Sequence, residues 1–173
     1  MITIRRIRKG EGALLRNLRL QALKNDAYAF GSTYETAIER SLDSWCQQAD
    51  STAEGTLRAT FIAFRENEPI AISAIYKNEG KEDEAEVLQV WITPEFRGRG
   101  LAKKMMDSVF GWAEANGYTH VTAEVTQINQ RALSFYLNYG FEKVSDSDST
   151  SKMKKPIKSN PGCLPSSSVG PNI

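Results

Sequence analysis

Apolar and polar residues alternate from Ile2 to Ile7, the period of a strand with one buried face. Gly10-Glu11-Gly12 breaks the alternation. Leu14, Leu15, Leu18, Ala22 and Leu23 then recur at the spacing of one helix face. Ala29-Phe30-Gly31-Ser32-Thr33 reads as a loop, and Thr33 with Thr36 offers cap hydroxyls to a second helix from Tyr34 to about Ala49. Strands are predicted over about Thr56–Arg65 and Ile70–Lys77, joined by the turn-forming Glu66-Asn67-Glu68-Pro69. A charged turn, Asn78 to Glu84, leads into a strand over Glu86–Ile92.

The next helix is predicted from about Gly98 to Asn116, its core face marked by Leu101, Met105, Val109 and Trp112. Asn116-Gly117 ends it. His120–Thr126 reads as a strand, Asn129 to Gly140 as a helix and Phe141–Val144 as a short strand. From Ser145 the character changes to Ser-Asp-Ser-Asp-Ser, scattered lysines, Pro156, Pro161, Pro165 and Pro171. Such a stretch has too little apolar surface to order itself unaided. The sequence therefore divides into a domain over 1–145 and a Ser/Pro/Lys-rich tail over 146–173. In the tail, either a nonstandard strand forms near Ser151–Ile157, around Lys152-Met153-Lys154, or the segment stays irregular.

The 173 residues, 40% hydrophobic and 25% charged, suit one globular domain with a real core. A net charge of +1 gives no global field for nucleic acid, and the early cluster Arg5, Arg6, Arg8, Lys9, Arg16, Arg19 and Lys24 reads as a solvated edge and helix face. Cys46 and Cys163 stand far apart, so neither a disulfide framework nor a zinc spacing follows, and no metal site is expected. The first residues do not form a secretion signal and no apolar run reaches membrane-spanning length, which predicts a cytoplasmic protein without a membrane partner.

The candidate chemistry begins at Val90-Trp91-Ile92-Thr93-Pro94-Glu95-Phe96-Arg97-Gly98-Arg99-Gly100-Leu101-Ala102. An apolar strand enters a basic, glycine-rich turn that opens directly into a helix. Glycines let several main-chain N–H groups converge, and the helix start adds unpaired donors and a positive dipole end. This arrangement suits phosphate or pyrophosphate. A P-loop requires Lys-Ser/Thr where Leu101-Ala102 stands, and a dinucleotide fingerprint requires glycine where Lys103 stands.

Arg97-x-x-Gly100-x-Ala102 instead resembles the acetyl-coenzyme A loop of the GNAT superfamily of N-acetyltransferases. Asn129-Gln130-Arg131-Ala132-Leu133-Ser134-Phe135-Tyr136-Leu137-Asn138-Tyr139-Gly140-Phe141 resembles a later helix of that family, in the matching order. The resemblance implies an α/β fold, with a mixed, mostly antiparallel central sheet of about six to seven strands flanked by about four helices. It also implies acetyl transfer from acetyl-coenzyme A to a primary amine of a small molecule by direct attack in a ternary complex. A protein or peptide acceptor, or a coenzyme A-binding module with little catalysis, is the alternative. A homodimer is one arrangement the resemblance allows.

Carried onto this sequence, the resemblance assigns cofactor contacts to Val90, Ile92, Arg97, Gly98, Arg99, Gly100, Leu101, Ala102 and Asn129. Asn129 is also a good helix cap. A main-chain N–H near Val90 would polarise the thioester oxygen. Tyr136 matches the family's acid for the departing thiolate, whose thiol has a pKa of about 8.5. Glu86 and Glu124 each stand where family members place a base, with water as a third source. Phe30, Tyr34 and Glu35 are candidates for an aromatic, acidic acceptor cleft. Cys46 reads as a small buried residue and His120 as a strand-end residue, both outside the chemistry. The tail departs from the family where the acceptor pocket is usually completed.

Overall fold

The computed structural model of the protein describes residues 1–158; Cys163, Pro161, Pro165 and Pro171 lie outside them. Seven strands form one sheet in the order β1-β2-β3-β4-β5-β7-β6. They are β1 (Ile2–Arg6), β2 (Arg58–Arg65), β3 (Glu68–Lys77), β4 (Glu84–Ile92), β5 (His120–Thr126), β6 (Glu142–Asp146) and β7 (Thr150–Pro156). The β4–β5 pair is parallel and the other neighbours are antiparallel. The helices are α1 (Gly12–Asn25), α2 (Tyr34–Ile38), α3 (Leu42–Ala53), α4 (Leu101–Ala115) and α5 (Gln130–Tyr139).

Helices cover both faces of the sheet, so its central strands are apolar on both sides. In β2, successive residues face opposite layers. Ile62 and Phe64 pack with Leu15, Leu18, Leu23 and Trp45 of α1 and α3. Phe61 and Ala63 pack with Met105, Met106 and Val109 of α4 and with Tyr136 of α5. Every residue from Ala59 to Phe64 is buried as a result.

The predicted helix from Tyr34 to Ala49 is in fact two. Ser41 is extended and its hydroxyl accepts from Ser44 N at 3.2 Å, starting α3 afresh. Arg40 folds back over the Trp45 ring at 3.7 Å and donates to Ser44 and Gln48. The predicted turn at Glu66–Pro69 is shorter: β3 begins at Glu68, and Pro69 sits where the β2–β3 register slips, a position that tolerates its missing N–H. The α4 helix begins at Leu101 rather than Gly98, because Gly98 and Gly100 adopt positive φ values of 72° and 78°.

Ser145 lies inside β6, and the segment beyond it returns as β7 between β5 and β6. Of the two outcomes open for this segment, the strand is the one that forms. Its side chains supply little apolar area. Main-chain ladders on both edges order it instead, together with Met153, which is 1% exposed in the core.

Candidate functional site

The site originates in a divergence of two strands. β4 pairs with β5 only over Glu84–Glu86 against His120–Thr122. Beyond Glu86, Gln89 takes a φ of 57° and the β3–β4 register slips between Ile72 and Ala74. A bulge of this kind bends its strand and leaves main-chain groups without a ladder partner. A cavity of about 590 Å³ opens there, with Glu86, Val90, Glu124, Asn129 and Tyr136 in its walls.

The loop after β4 closes one end. Gly100 caps α4 without any side-chain hydrogen bond, so the first-turn N–H groups are left to solvent or a ligand. Among the described residues a Cβ at Gly98 or Gly100 would meet nothing within 4 Å, so glycine is required there by backbone conformation rather than by crowding. Gly98, Gly100, Ala102 and Lys103 line the cavity. Leu101 points into the core at 3% exposure, and Arg99 is exposed with its guanidinium 5.7 Å from the Phe96 ring.

Arg97 is held by protein groups. Its Nε donates to the Ile92 carbonyl at 2.9 Å and its guanidinium forms an ion pair with Asp26, just beyond α1. Trp91 Nε1 donates to the same carboxylate at 2.7 Å. Burial alone would raise the Asp26 carboxyl, but the hydrogen bonds from Arg97 and Trp91 outweigh it and hold the group below its ordinary range. Arg97 and Ile92 line the cavity, and together these contacts fix the loop to β4 and to the first helix.

On the other wall, Asn129 caps α5, its Oδ1 accepting from Ala132 N at 3.2 Å. About two turns further on, on the same helix face, Tyr136 is 7% exposed and makes edge contacts with Phe135 at 5.6 Å and Phe141 at 5.1 Å. Burial, and secondarily the Glu86 charge, raises its phenol well above the usual tyrosine range, so it stays protonated. Glu86 is itself raised, first by burial and then by Glu124, with Lys152 opposing. Register explains the grouping: Glu86 is opposite Thr122 in β5, and Glu124 lies two residues along the same face with Lys152 across from it in β7.

Of the expected acceptor residues, Phe30 lines the cavity. Tyr34 packs at the edge of the α1–α3 core and Glu35 is exposed, and neither lines it. Arg19 stands in the wall instead, its guanidinium 4.9 Å from the Phe30 ring. Cys46 lies against Gly12, where α3 crosses α1, and His120 Nδ1 bonds Thr119 Oγ1 at 2.9 Å.

Sequence reading did not single out Arg19, Asp26, Gln89 or Lys152 for the site. Arg19 carried a usable signal, since it falls four residues after Leu15 and four before Leu23, in line with the apolar stripe. A charge in that register must meet a partner or a ligand. The others depend on contacts distant in sequence.

The bare helix start, the open glycine turn and the unladdered β4 edge fit a diphosphate with an extended arm. The model of the Acetyltransferase (GNAT) family matches residues 20–141. The chain belongs to this family. Acetyl-coenzyme A is the acetyl donor of GNAT enzymes. Rat N-acetyltransferase 8F1 is 33% identical over 58 residues, 34% of this chain and 26% of that protein; the chain thus spans about a quarter of the length of this curated relative. A GNAT acetyltransferase from Streptococcus pneumoniae superposes with a TM-score of 0.78 at 18% identity, covering 91% of this chain and all (100%) of that one. The PaiA N-acetyltransferase from Thermoplasma acidophilum, solved with coenzyme A, gives 0.76 at 17%, covering 90% and 99%. The GNAT fold thus extends through β7, beyond the matched residues. No helix among the described residues is long and apolar enough to cross a membrane.

Proposed function

We propose that the chain transfers the acetyl group of acetyl-coenzyme A to a primary amine of a small molecule by direct attack in a ternary complex. The observation that carries this reading is the splayed β4–β5 cavity, which has a carboxylate pair on β4 and β5 and a buried phenol on α5 in its walls. When bound, the cofactor supplies an activated acetyl group.

The protein's own groups do the rest. Main-chain N–H groups from Gly98 to Lys103 take the diphosphate, with Arg97 holding the loop that presents them. The β4 edge at Val90 and Ile92 aligns the arm, and the Asn129 amide, its oxygen already used as a cap, offers N–H donors beside it. Glu86, raised by burial and Glu124, accepts a proton from the acceptor ammonium directly or through water. Glu124 lies on the same face and holds the incoming cation. Tyr136, kept protonated, would donate to the sulfur as its bond to the acyl carbon gives way to the new C–N bond, and would be reprotonated, directly or through water, by the second proton that the acylated nitrogen releases.

The test is thiol release from acetyl-coenzyme A across aminoglycosides, polyamines, amino acids and short peptides. Tyr136→Phe is expected to lower kcat by about 100-fold or more with little change in the KM for acetyl-coenzyme A. Tight coenzyme A binding without turnover of any amine would refute the reading.

A further inference from the structure

Arg19 is 5% exposed, lines the cavity, and has a buried Nη1 with no hydrogen-bond partner among the described residues. Among the described residues no carboxylate lies within ion-pair distance of it. The groups described around it do not satisfy that nitrogen. The Phe30 ring meets its guanidinium face, and Arg40, the neighbouring charge, is a second cation that already donates to Ser44 and Gln48. Asp26 lines the same cavity, but its charge is engaged by Arg97 and Trp91. A buried cation without a counter-ion is costly to keep. Burial and Arg40 lower it to about 10, with Tyr76 opposing, which still leaves it charged at neutral pH.

The same cavity holds the reverse charge. Glu86 and Glu124 line it, and the Gln89 side-chain oxygen in its wall is buried without a partner among the described residues. One cavity therefore offers an unpaired cation and a set of acceptors for an ammonium. An acceptor with positive groups alone, such as a polyamine, would answer the carboxylates and leave Arg19 facing a like charge.

We propose that the acceptor is a small amino carboxylate, a free amino acid or a close analogue, whose carboxylate is bound by Arg19 while its amine is directed to Glu86. This rests on the acetyltransferase reading above and narrows its substrate class. A guanidinium matches a carboxylate with two parallel hydrogen bonds, which a lysine cannot reproduce.

The experiment compares matched acceptors in the thiol-release assay: leucine, phenylalanine and methionine, each against its carboxamide and its decarboxylated amine. The carboxylate-bearing member is expected to have the higher kcat/KM by about 10-fold or more in at least one set. Arg19→Gln should remove about 10- to 100-fold of that value through the acceptor KM, leaving the KM for acetyl-coenzyme A unchanged, and Arg19→Lys should recover part of it. As a readout independent of turnover, the preferred amino acid should raise the Tm of the coenzyme A complex of the wild-type chain and not of Arg19→Gln. Should Arg19→Gln fail to fold, the wild-type preference and Arg19→Lys decide the matter. Equal or better turnover of the carboxylate-free amines, or an equal loss on all acceptors in the variants, overturns the inference and leaves the acetyltransferase reading standing. Absence of thiol release with every amine overturns both.

Discussion

Replacing Asp26 by alanine tests how the glycine loop after β4 is anchored. The Asp26 side chain is 10% exposed and serves two donors, the Arg97 guanidinium and Trp91 Nε1. Its removal leaves an indole N–H on a 4%-exposed tryptophan and a cation whose side chain is 22% exposed. Breaking a buried ion pair from one side costs about 3–5 kcal/mol. Water reaches part of Arg97 and recovers some of that, so a loss of about 2–4 kcal/mol is expected, the stranded indole included. For a chain of this size that lowers Tm by about 5–15 °C. Asp26→Asn keeps an acceptor for Trp91 and should lose roughly half as much. Thermal and urea denaturation measure both, with an unchanged m value showing that stability alone has moved. The sign of the pH dependence follows from the depressed carboxyl. Its stabilisation is fully present above the unfolded pKa of about 3.9 and is lost as pH falls through the lower folded value. The gap between wild type and Asp26→Ala should therefore hold steady from about pH 5 to 8 and close in acid below about pH 4. A gap under about 0.5 kcal/mol at neutral pH, or one that persists in strong acid, would refute the reasoning.

Gly100→Ala places a side chain at a φ of 78° with open space around it, so only backbone strain opposes it; about 1–2 kcal/mol of stability and at least a 10-fold weaker acetyl-coenzyme A affinity by calorimetry are expected. Gly12→Ala drives a methyl to 2.6 Å from Cys46 Cα and 2.7 Å from its N, so α1 and α3 must separate. A loss of about 1–3 kcal/mol in urea is expected, and Cys46→Ala should not rescue it because the clash involves backbone. Glu86 has a raised carboxyl, so the folded state holds its proton to higher pH than the unfolded chain does; its charge opposes folding increasingly as pH rises from the unfolded to the folded pKa, and by a constant amount above it. Glu86→Gln should therefore raise Tm at pH 7 while lowering kcat about 100-fold or more, and the wild-type kcat/KM should rise with pH through an apparent pKa above about 4.3. A variant that loses both stability and activity would contradict this.

What the sequence by itself determined is what local pattern can carry. The strand His120–Thr126 coincides with its predicted bounds, and α5 lies between Asn129 and Gly140 as its cap residues dictate, because periodicity and capping are properties of neighbouring residues. The glycine turn that bares the α4 start was legible for the same reason, since positive φ is a local demand. The strand β7 was legible only as one of two outcomes, because its order comes from ladders on both edges and from one methionine fitting a core built by other segments. Arg97 has a motif position in the sequence, but its tie to Asp26 depends on residues 71 positions apart. The carboxylate pair likewise exists only because β4 and β5 run parallel for three residues and then part. The tertiary structure decided which charges reach the cavity: it left Glu35 in solvent and buried Arg19 in the cavity wall, and burial strengthens a charge's claim on a partner.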